Sequence, residues 1–330
     1  MHRRALLQAG AGLALVPALA PLIARAQSAA DAFPAKTVTI IVPFTPGQAG
    51  DVVARVVADA LTRMWGKSVV VDNRGGAGGT LGARVAAAAA GDGYTWLLGS
   101  SGPMSIAPNL YKSVGYDPRR DFVPLMDVAS NAQALVVSAD SPYKSVADFV
   151  AAAKAAPGKL NYGSSGTGST QHMTMELFKQ RAGIDIVHAP YKGSAPAYTD
   201  LFGGQINAMF DSLPPAYGFM QSGRARILAV STAQRDPKVP NIPTVAESGY
   251  PGFDVLGWLG LVAPKGLDPA IQAKIIADLK KVVAMDAVRT QFSNQGLMPV
   301  GMAGADFGKY IDSELSKWVP VVKAGHIVVE

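Results

Sequence analysis

Apolar and polar positions follow two different periods along the chain, and the first change of period lies near residue 43. Val38–Val42 is a run of β-favouring residues that Pro43 ends. Residues 46–50 have turn chemistry. Residues 51–60 then carry apolar side chains at helical spacing, with Asp51 at the expected N-cap. The pattern predicts a buried parallel strand, a loop and an amphipathic helix.

The same order of strand, small-residue loop and helix returns further along the chain. Further strands are predicted at residues 68–71, 94–98, 121–129, 134–138, 160–162, 186–188, 205–210, 226–231 and 255–263. Further helices are predicted at residues 80–90, 145–156, 171–181, 195–202, 268–285, 286–295 and 303–322. Strands that alternate with helices predict an α/β fold.

Two blocks of this kind, joined by a long return, predict two lobes with a cleft between them. We expect one lobe at residues 36–130 and 252–330 and the other at residues 131–251. The chain would cross between them near residues 129–134 and 249–257. Parallel strands end at the same edge of a sheet, so the loops that follow them are expected to face the cleft.

The N-terminus has the pattern of an export signal. Arg3 and Arg4 precede an apolar run at residues 6–23, and residues 24–26 form a small-x-small cleavage site. We therefore expect residues 1–26 to be a signal peptide and the mature protein to work in the periplasm. The arginine pair is compatible with both the twin-arginine and the general secretory (Sec) route. A membrane anchor is the alternative, but two prolines interrupt the apolar run.

Composition and spacing exclude several kinds of site. The chain has no cysteine, which excludes disulfides, thiolate metal sites and cysteine nucleophiles. The net charge is +6 at pH 7, and loss of the three arginines in residues 1–26 would lower it to +3. A charge this small and dispersed does not favour nucleic acid as a partner. The glycine-rich segments fail the spacing of nucleotide-binding motifs, so we expect no cofactor and no metal.

Small and hydroxyl-bearing residues dominate the loops that follow four of the predicted strands. Backbone N–H groups and positive helix ends at such loops favour an anion. A carboxylate or phosphate cradle is therefore the favoured use of these loops. The candidate ligand-binding residues are Phe44, Thr45, Pro46, Gln48, Gly99, Ser100, Ser101, Ser164, Ser165, Thr167, Gly168, Ser169, Thr170, His172, Lys192, Gly193, Ala195 and Asp211.

Some charged residues near these loops have a second interpretation. Lys192 is as consistent with a solvated lysine as with an anion ligand. Asp211 either braces a loop or receives a ligand amine or hydroxyl, because a carboxylate beside an acid ligand is unfavourable. We expect Asp72 and Arg74 to brace their own loop rather than to contact the ligand.

Seven short motifs occur in an order that is typical of one family. They are residues 42–47 with Asp51, 72–74 with 76–79, 116–118 with 121–122, 158–166, 190–193, 203–205 with 210–211, and 243–249. With these motifs the chain resembles the extracytoplasmic solute receptors of tripartite tricarboxylate transporters, of the Bordetella-uptake-gene (Bug) type. The resemblance covers residues 36–325.

The resemblance implies a two-lobed periplasmic-binding-protein fold, the type II Venus flytrap with two crossovers. It implies a non-enzymatic receptor that holds a small organic acid and delivers it to membrane permease subunits. The acid would be an aliphatic di- or tricarboxylate or an aromatic carboxylate, usually met by N–H groups, hydroxyls and water. We expect a monomer. Gln48 and Gly75 depart from the family's pattern, in which a second glycine and a proline are common at these positions.

Two other functions stay open at this point. A sensor that presents its ligand to a membrane kinase would differ from a transport receptor only in its partner. A secreted serine hydrolase would use Ser164 or Ser165, but the G-x-S-x-G elbow is absent around both residues. His172 lies at the start of the following helix, where it is poorly placed as a general base.

Overall fold

The computed structural model describes residues 32–44, 46–325 and 327. The predicted signal peptide with its cleavage site and the candidate residue Thr45 lie outside the described residues. Within the described part, none of the helices is both long enough and apolar enough to span a membrane.

Among the described residues, ten strands form one curled sheet, and helices pack on both of its faces. The strands are β1 Val38–Val42, β2 Val69–Asn73, β3 Thr95–Ser100, β4 Phe122–Ser138, β5 Asn161–Ser164, β6 Val187–Pro190, β7 Ala208–Ser212, β8 Ala225–Val230, β9 Leu256–Pro264 and β10 Met298–Ala303. The helices are α1 Ala49–Trp65, α2 Thr80–Ala87, α3 Ala107–Leu110, α4 Val146–Ala155, α5 Thr170–Ala182, α6 Ser194–Phe202, α7 Leu213–Gln221, α8 Pro269–Ala284, α9 Asp286–Asn294 and α10 Gly304–Ala324.

The strand order is β2-β1-β3-β9-β4-β7-β5-β6, with β8 and β10 also paired to β4. Strands β1, β2 and β3 are mutually parallel, as are β5, β6 and β7. We call the half built on β1–β3, β9 and β10 the first lobe, and the half built on β5–β8 the second lobe. This order confirms the predicted α/β fold class. The lobe boundaries at residues 130 and 251 stay a prediction.

Strand β4 belongs to both lobes. The sequence predicted two strands here, at residues 121–129 and 134–138, but the structure has one continuous strand. The strand continues because its partners change without a gap: Ala132 pairs with Leu256 of β9, and Gln133 pairs with Ser212 of β7. Each backbone group at the crossing therefore keeps a partner, which a buried loop could not provide.

The return crossing lies directly beside β4. Ser231, which follows β8, accepts the N–H of Gln133 on its hydroxyl at 2.9 Å. Its carbonyl oxygen accepts the N–H of Val255, just before β9, at 2.9 Å. The two chain crossings are thus hydrogen-bonded to each other, as two adjacent extended segments.

Helix α10 adds a third connection between the lobes. Phe307 and Leu315 pack in an apolar cluster of the first lobe, whereas Trp318 and Val321 belong to a cluster of the second lobe. Gln180 of α5 also donates a hydrogen bond to the carbonyl oxygen of Val321 at 2.8 Å. A movement of one lobe relative to the other must therefore involve α10.

Some elements were not predicted, and in each case proline or glycine concealed them. Helix α7 begins with prolines in its first turn, where the missing N–H groups have no helical partner in any case. Strand β10 contains Pro299 and Gly301, and its pairing with β4 is irregular there. Asp268 caps α8, since its carboxylate accepts the N–H of Ala270 at 2.7 Å.

Close packing of α10 on β9 gives a first testable prediction. A Cβ atom at Gly260 would lie 2.3 Å from the ring of the buried Phe307 and 3.0 Å from the carbonyl oxygen of Met126. We expect Gly260→Ala to lower the free energy of unfolding by about 1–3 kcal/mol in urea titrations, because the core is overpacked. Gly218→Ala is the control: Gly218 lies within α7, its Cβ would meet open space, and a gain of up to about 1 kcal/mol is expected. Equal stability of the two variants would contradict this account.

Candidate functional site

Five loops follow the carboxyl ends of parallel strands and precede helices. Loop 1 is residues 43–44 and 46–48, loop 2 is 74–79 and ends in a 3-10 turn, loop 4 is 165–169, and loop 5 is 191–193. We call residues 101–106 loop 3 for their place after β3, although they are helical and continue into α3. Loops 1–3 belong to the first lobe, and loops 4 and 5 belong to the second. Ligands of open α/β sheets bind at this edge.

The loops of the two lobes lie against one another. A Cβ atom at Gly193 of loop 5 would be 3.8 Å from the side-chain nitrogen of Gln48 in loop 1. One at Gly78 of loop 2 would be 3.7 Å from the carbonyl oxygen of Thr167 in loop 4. One at Gly102 of loop 3 would be 3.5 Å from the carbonyl oxygen of Gly78. The predicted loops therefore form one continuous region between the lobes.

Loop 1 is held by the buried carboxylate of Asp51. It accepts the N–H of Gly47 at 2.9 Å, Arg55 Nε at 3.0 Å and Asn73 Nδ2 at 2.9 Å. Burial by itself would raise the pKa of Asp51, but the hydrogen bonds from Arg55, Gly47 and Asn73 outweigh it, so the pKa is lowered. The prediction of Asp51 as the N-cap is wrong, because α1 already begins at Ala49 and Asp51 lies in its first turn.

Loop 4 uses several of its polar groups internally. The N–H of Gly166 donates to Ser164 Oγ at 3.1 Å, and the N–H of Gly168 donates to His172 Nδ1 at 3.2 Å. The N–H of Ser169 donates to the carbonyl oxygen of Gly166 at 3.1 Å. The Ser169 hydroxyl caps α5 by accepting the N–H of His172 at 3.2 Å. These groups shape the loop and are not open donors.

Other donors of the second lobe have no partner among the described residues. They include the backbone N–H groups of Ser165, Thr167, Thr170 and Gln171 and the hydroxyls of both threonines. The first N–H groups of α6, on Ser194 and Ala195, are open in the same sense. Open N–H groups at the N-termini of α5 and α6 attract an anion through hydrogen bonding and through the helix dipole.

Asp211 links the two helix N-termini from below. It is 1% exposed, and its Oδ1 accepts Gln171 Nε2 at 3.1 Å and the Ser194 hydroxyl at 2.8 Å. Burial raises the pKa of Asp211. Of the two interpretations offered by the sequence, the contacts show bracing of loops 4 and 5. Its other oxygen has no hydrogen-bond partner among the described residues.

The remaining predicted residues differ in exposure. Pro46, Gln48, Lys192 and Ala195 are exposed, and Phe44, Ser165, Thr167, Ser169, Thr170 and Gly193 are half-buried. Gly99, Ser100, Ser101, Ser164, Gly168 and His172 are buried. The structure thus places Gly99 and Ser100 at the buried end of β3, and the buried Ser101 directly after it.

No buried, unpaired cation faces the loops within residues 32–44 and 46–325. Arg55 is paired with Asp51 at 2.9 Å, and Arg74 is paired with Asp72 at 2.9 Å. Arg74 therefore braces loop 2, as predicted. Lys192 is exposed and makes no hydrogen bond or ion pair there. In the same part of the chain, no three metal-ligating side chains lie together.

Sequence reasoning missed His188, which lies on β6 opposite Tyr162 of β5. His188 Nε2 is 2.7 Å from Ser164 Oγ, the pair of groups that a serine hydrolase would need. Ser164 is fully buried, however, and burial lowers the pKa of His188 to about 3, so this imidazole is a weak base. No local pattern in the sequence reveals this contact, because it depends on the register between β5 and β6.

Known proteins resemble this chain in sequence and in fold. The family model for the tripartite tricarboxylate transporter family receptor (TctC) matches residues 53–327. The chain belongs to this family. The resemblance predicted from the seven motifs is therefore confirmed, and so is the predicted periplasmic-binding-protein fold.

Three relatives of the TctC receptor illustrate the match. Protein BugT of Bordetella pertussis is 38% identical over 295 residues, 89% of this chain and 90% of its own. The R. palustris Rpa4515 structure with adipate is 35% identical with a TM-score of 0.84, covering 90% of this chain and 99% of its own. MatC (Rpa3494) from Rhodopseudomonas palustris with bound malate is 31% identical with a TM-score of 0.79, covering 88% of this chain and 100% of its own.

Proposed function

We propose that this TctC-family receptor binds a small aliphatic dicarboxylic acid in the periplasm and delivers it to the membrane permease of a tripartite transporter. The observation that carries the proposal is the set of open donors on loops 4 and 5 at the N-termini of α5 and α6. These donors face loops 1–3 of the other lobe, so a bound acid would contact both lobes.

Helix N-termini and hydrogen bonds can supply the binding free energy of an acid without a formal positive charge. Each helix N-terminus favours an anion by about 0.3–2 kcal/mol. Each charge-assisted hydrogen bond from an N–H group or hydroxyl adds about 1.5–3 kcal/mol. Micromolar affinity needs about 8 kcal/mol, so two helix ends and three such bonds account for it.

Two solved relatives support the ligand class. One structure holds adipate and another holds malate, and both ligands are dicarboxylates. In the present chain, the Asp211 carboxyl accepts hydrogen bonds from the side chains of Gln171 and Ser194 and leaves the N–H groups at the N-termini of α5 and α6 open. We infer that one ligand carboxylate lies above these helix ends, against the open N–H groups, and that the second lies toward loop 1 and Gln48.

Transport rather than catalysis fits the site. Ser164 is fully buried, His188 is half-buried, and their contact lies at the base of loop 4. We propose that the receptor acts as an exported monomer that hands its acid to the permease. A sensor role would use the same site with another partner.

A thermal-shift screen tests the ligand class. We expect adipate or malate to raise the melting temperature of the purified protein, because ligand at a hundredfold excess over Kd adds about 2.7 kcal/mol to stability. Citrate and benzoate represent the tricarboxylate and aromatic classes, and dimethyl adipate controls for the carbon chain without charge. A shift with the ester as large as that with adipate, or no shift with any acid at millimolar concentration, would contradict the proposal.

A further inference from the structure

Behind loop 4, two imidazole rings stack on each other inside the second lobe. The ring centroids of His172 and His188 are 3.9 Å apart, with an angle of 21° between the planes. The ring of Tyr162 continues the stack, 4.9 Å from His188. The stack joins β5 and α5, which flank loop 4, to β6, which precedes loop 5.

Both histidines hold residues of loop 4 or its flank. His172 Nδ1 accepts the N–H of Gly168, which requires that this nitrogen carries no proton. His172 is therefore the neutral tautomer with its proton on Nε2. His188 Nε2 lies 2.7 Å from Ser164 Oγ, and the same hydroxyl accepts the N–H of Gly166. Two of the glycine N–H groups that shape loop 4 thus depend on the stack.

Loop 4 needs this support because its backbone is unusual. Gly166 has φ +131° and Gly168 has φ +80°, conformations that only glycine adopts readily. At Gly168 a Cβ atom would lie 3.0 Å from a side-chain carbon of Leu110 in the first lobe. A small displacement of Gly168 therefore alters both the open N–H group of Thr167 and the fit of the two lobes.

The surroundings keep the imidazoles neutral. The one carboxylate beside the stack in the described structure is Glu176, which accepts the Tyr162 hydroxyl and Lys179 Nζ, the latter at 2.6 Å. Asp211 on β7 faces Gln171 and Ser194 instead, and α10 presents a carbonyl oxygen to α5. Burial lowers the pKa of His172 to about 4 and that of His188 to about 3, and the charge of Lys179 acts in the same direction.

We propose that His172 and His188 are positioning residues of the acid site, which hold loop 4 in its binding-competent form, and that protonation of His172 releases the loop. The inference rests on the proposed function of loop 4 as an anion cradle. Neither ring needs to contact the acid, because the effect passes through Gly168 and Ser164. Protonation of His172 removes the acceptor of the Gly168 N–H and places a cationic ring against the ring of His188.

The first test needs no acid. In nuclear magnetic resonance spectra of the full chain, the Gly168 amide shift and the His172 ring shift should titrate together with a midpoint near pH 4. Both should stay constant between pH 7 and pH 5. An His172 midpoint near 6.5, or a Gly168 amide that ignores the titration, would overturn the inference whatever the protein binds.

The second test measures adipate binding by calorimetry at pH 7. His172→Phe keeps a flat ring in the stack but removes the acceptor, and we expect its Kd to rise about tenfold. His172→Asn places an oxygen near the former Nδ1, so it should restore most of the lost affinity. Circular dichroism checks that both variants are folded. Wild-type affinity in the phenylalanine variant would overturn the inference.

The pH dependence of adipate binding distinguishes a positioning role of His172 from a role in packing alone. Protonation of adipate affects both proteins equally, so the ratio of the wild-type Kd to that of His172→Asn isolates the histidine. That ratio should grow about twofold between pH 7 and pH 4, where half of the His172 rings are charged. A constant ratio would contradict the inference. If wild type binds no adipate at any pH, the ligand proposal fails, and the spectroscopic titration still decides the role of the histidines.

Discussion

Thr170→Pro is expected to raise the Kd of the bound acid at least tenfold. Thr170 is the first residue of α5, where proline preserves the helix but deletes the backbone N–H. Ser169 before it is extended, at φ −69° and ψ 158°, as a residue before proline requires. The variant removes an open N–H group and a hydroxyl, each of which contributes about 1.5–3 kcal/mol when it contacts a carboxylate.

Two further variants show whether the loss of affinity comes from the N–H group, from the hydroxyl or from a nearby charge. Thr170→Val keeps the N–H and removes only the hydroxyl, so its Kd should lie between those of wild type and Thr170→Pro. Arg74→Ala removes a cation that is already paired with Asp72, and we expect a change of less than threefold. Calorimetry with adipate or malate measures all of them. If Arg74→Ala abolishes binding while Thr170→Pro is neutral, the acid is bound by charge and not by helix N-termini.

Acidification from pH 7 to pH 4 is expected to lower the free energy of unfolding by about 3–6 kcal/mol through the two stacked histidines. In the unfolded chain they take up protons near pH 6.5, whereas in the folded protein burial lowers their pKa values to about 4 and 3. Their stabilising contribution is therefore complete above pH 6.5 and is lost as the pH falls toward 4. Two such groups give a slope of up to about 2.7 kcal/mol per pH unit.

Urea titrations between pH 7 and pH 4 test this slope. Burial raises the pKa values of Asp127 and Asp211, so those carboxyls act in the opposite direction and contribute equally to every variant. The comparison of wild type with the double variant His172→Asn/His188→Gln thus isolates the histidines. The double variant should lose much less stability on acidification. Parallel curves for the two proteins would refute the assignment.

Hydrophobic periodicity predicted most of the strands and helices, because they are bounded by proline, glycine or capping residues. It failed at β4, where the polar residues Ser130 and Asn131 resemble a loop. In the structure they are buried, because their backbone groups pair with β9 across the crossing. A partner more than a hundred residues away cannot be recognised from local pattern alone.

The position of the candidate site could be predicted from the sequence, but its hydrogen bonds could not. Small residues after parallel strands correctly indicated the loops that meet between the lobes. Which N–H groups remain open depends on the turns that Gly166 and Gly168 make, and these turns use the N–H of Ser169 internally. The contact between Ser164 and His188 depends on the register of β5 and β6, which a single sequence does not reveal.

The sharing of β4 also dictates the order in which the chain can fold. Phe122 at the start of β4 pairs with Pro264 at the end of β9, so the first lobe cannot complete its sheet until that late segment has been synthesised. Strands β5–β8 lie between these two segments and need no later strand. A growing chain therefore passes through a stage in which the second lobe has all its strands but lacks Trp318 and Val321 of α10, and β3 and β4 have an open edge. Unpaired edges of this kind join other chains readily, so this stage has the greatest need of a chaperone.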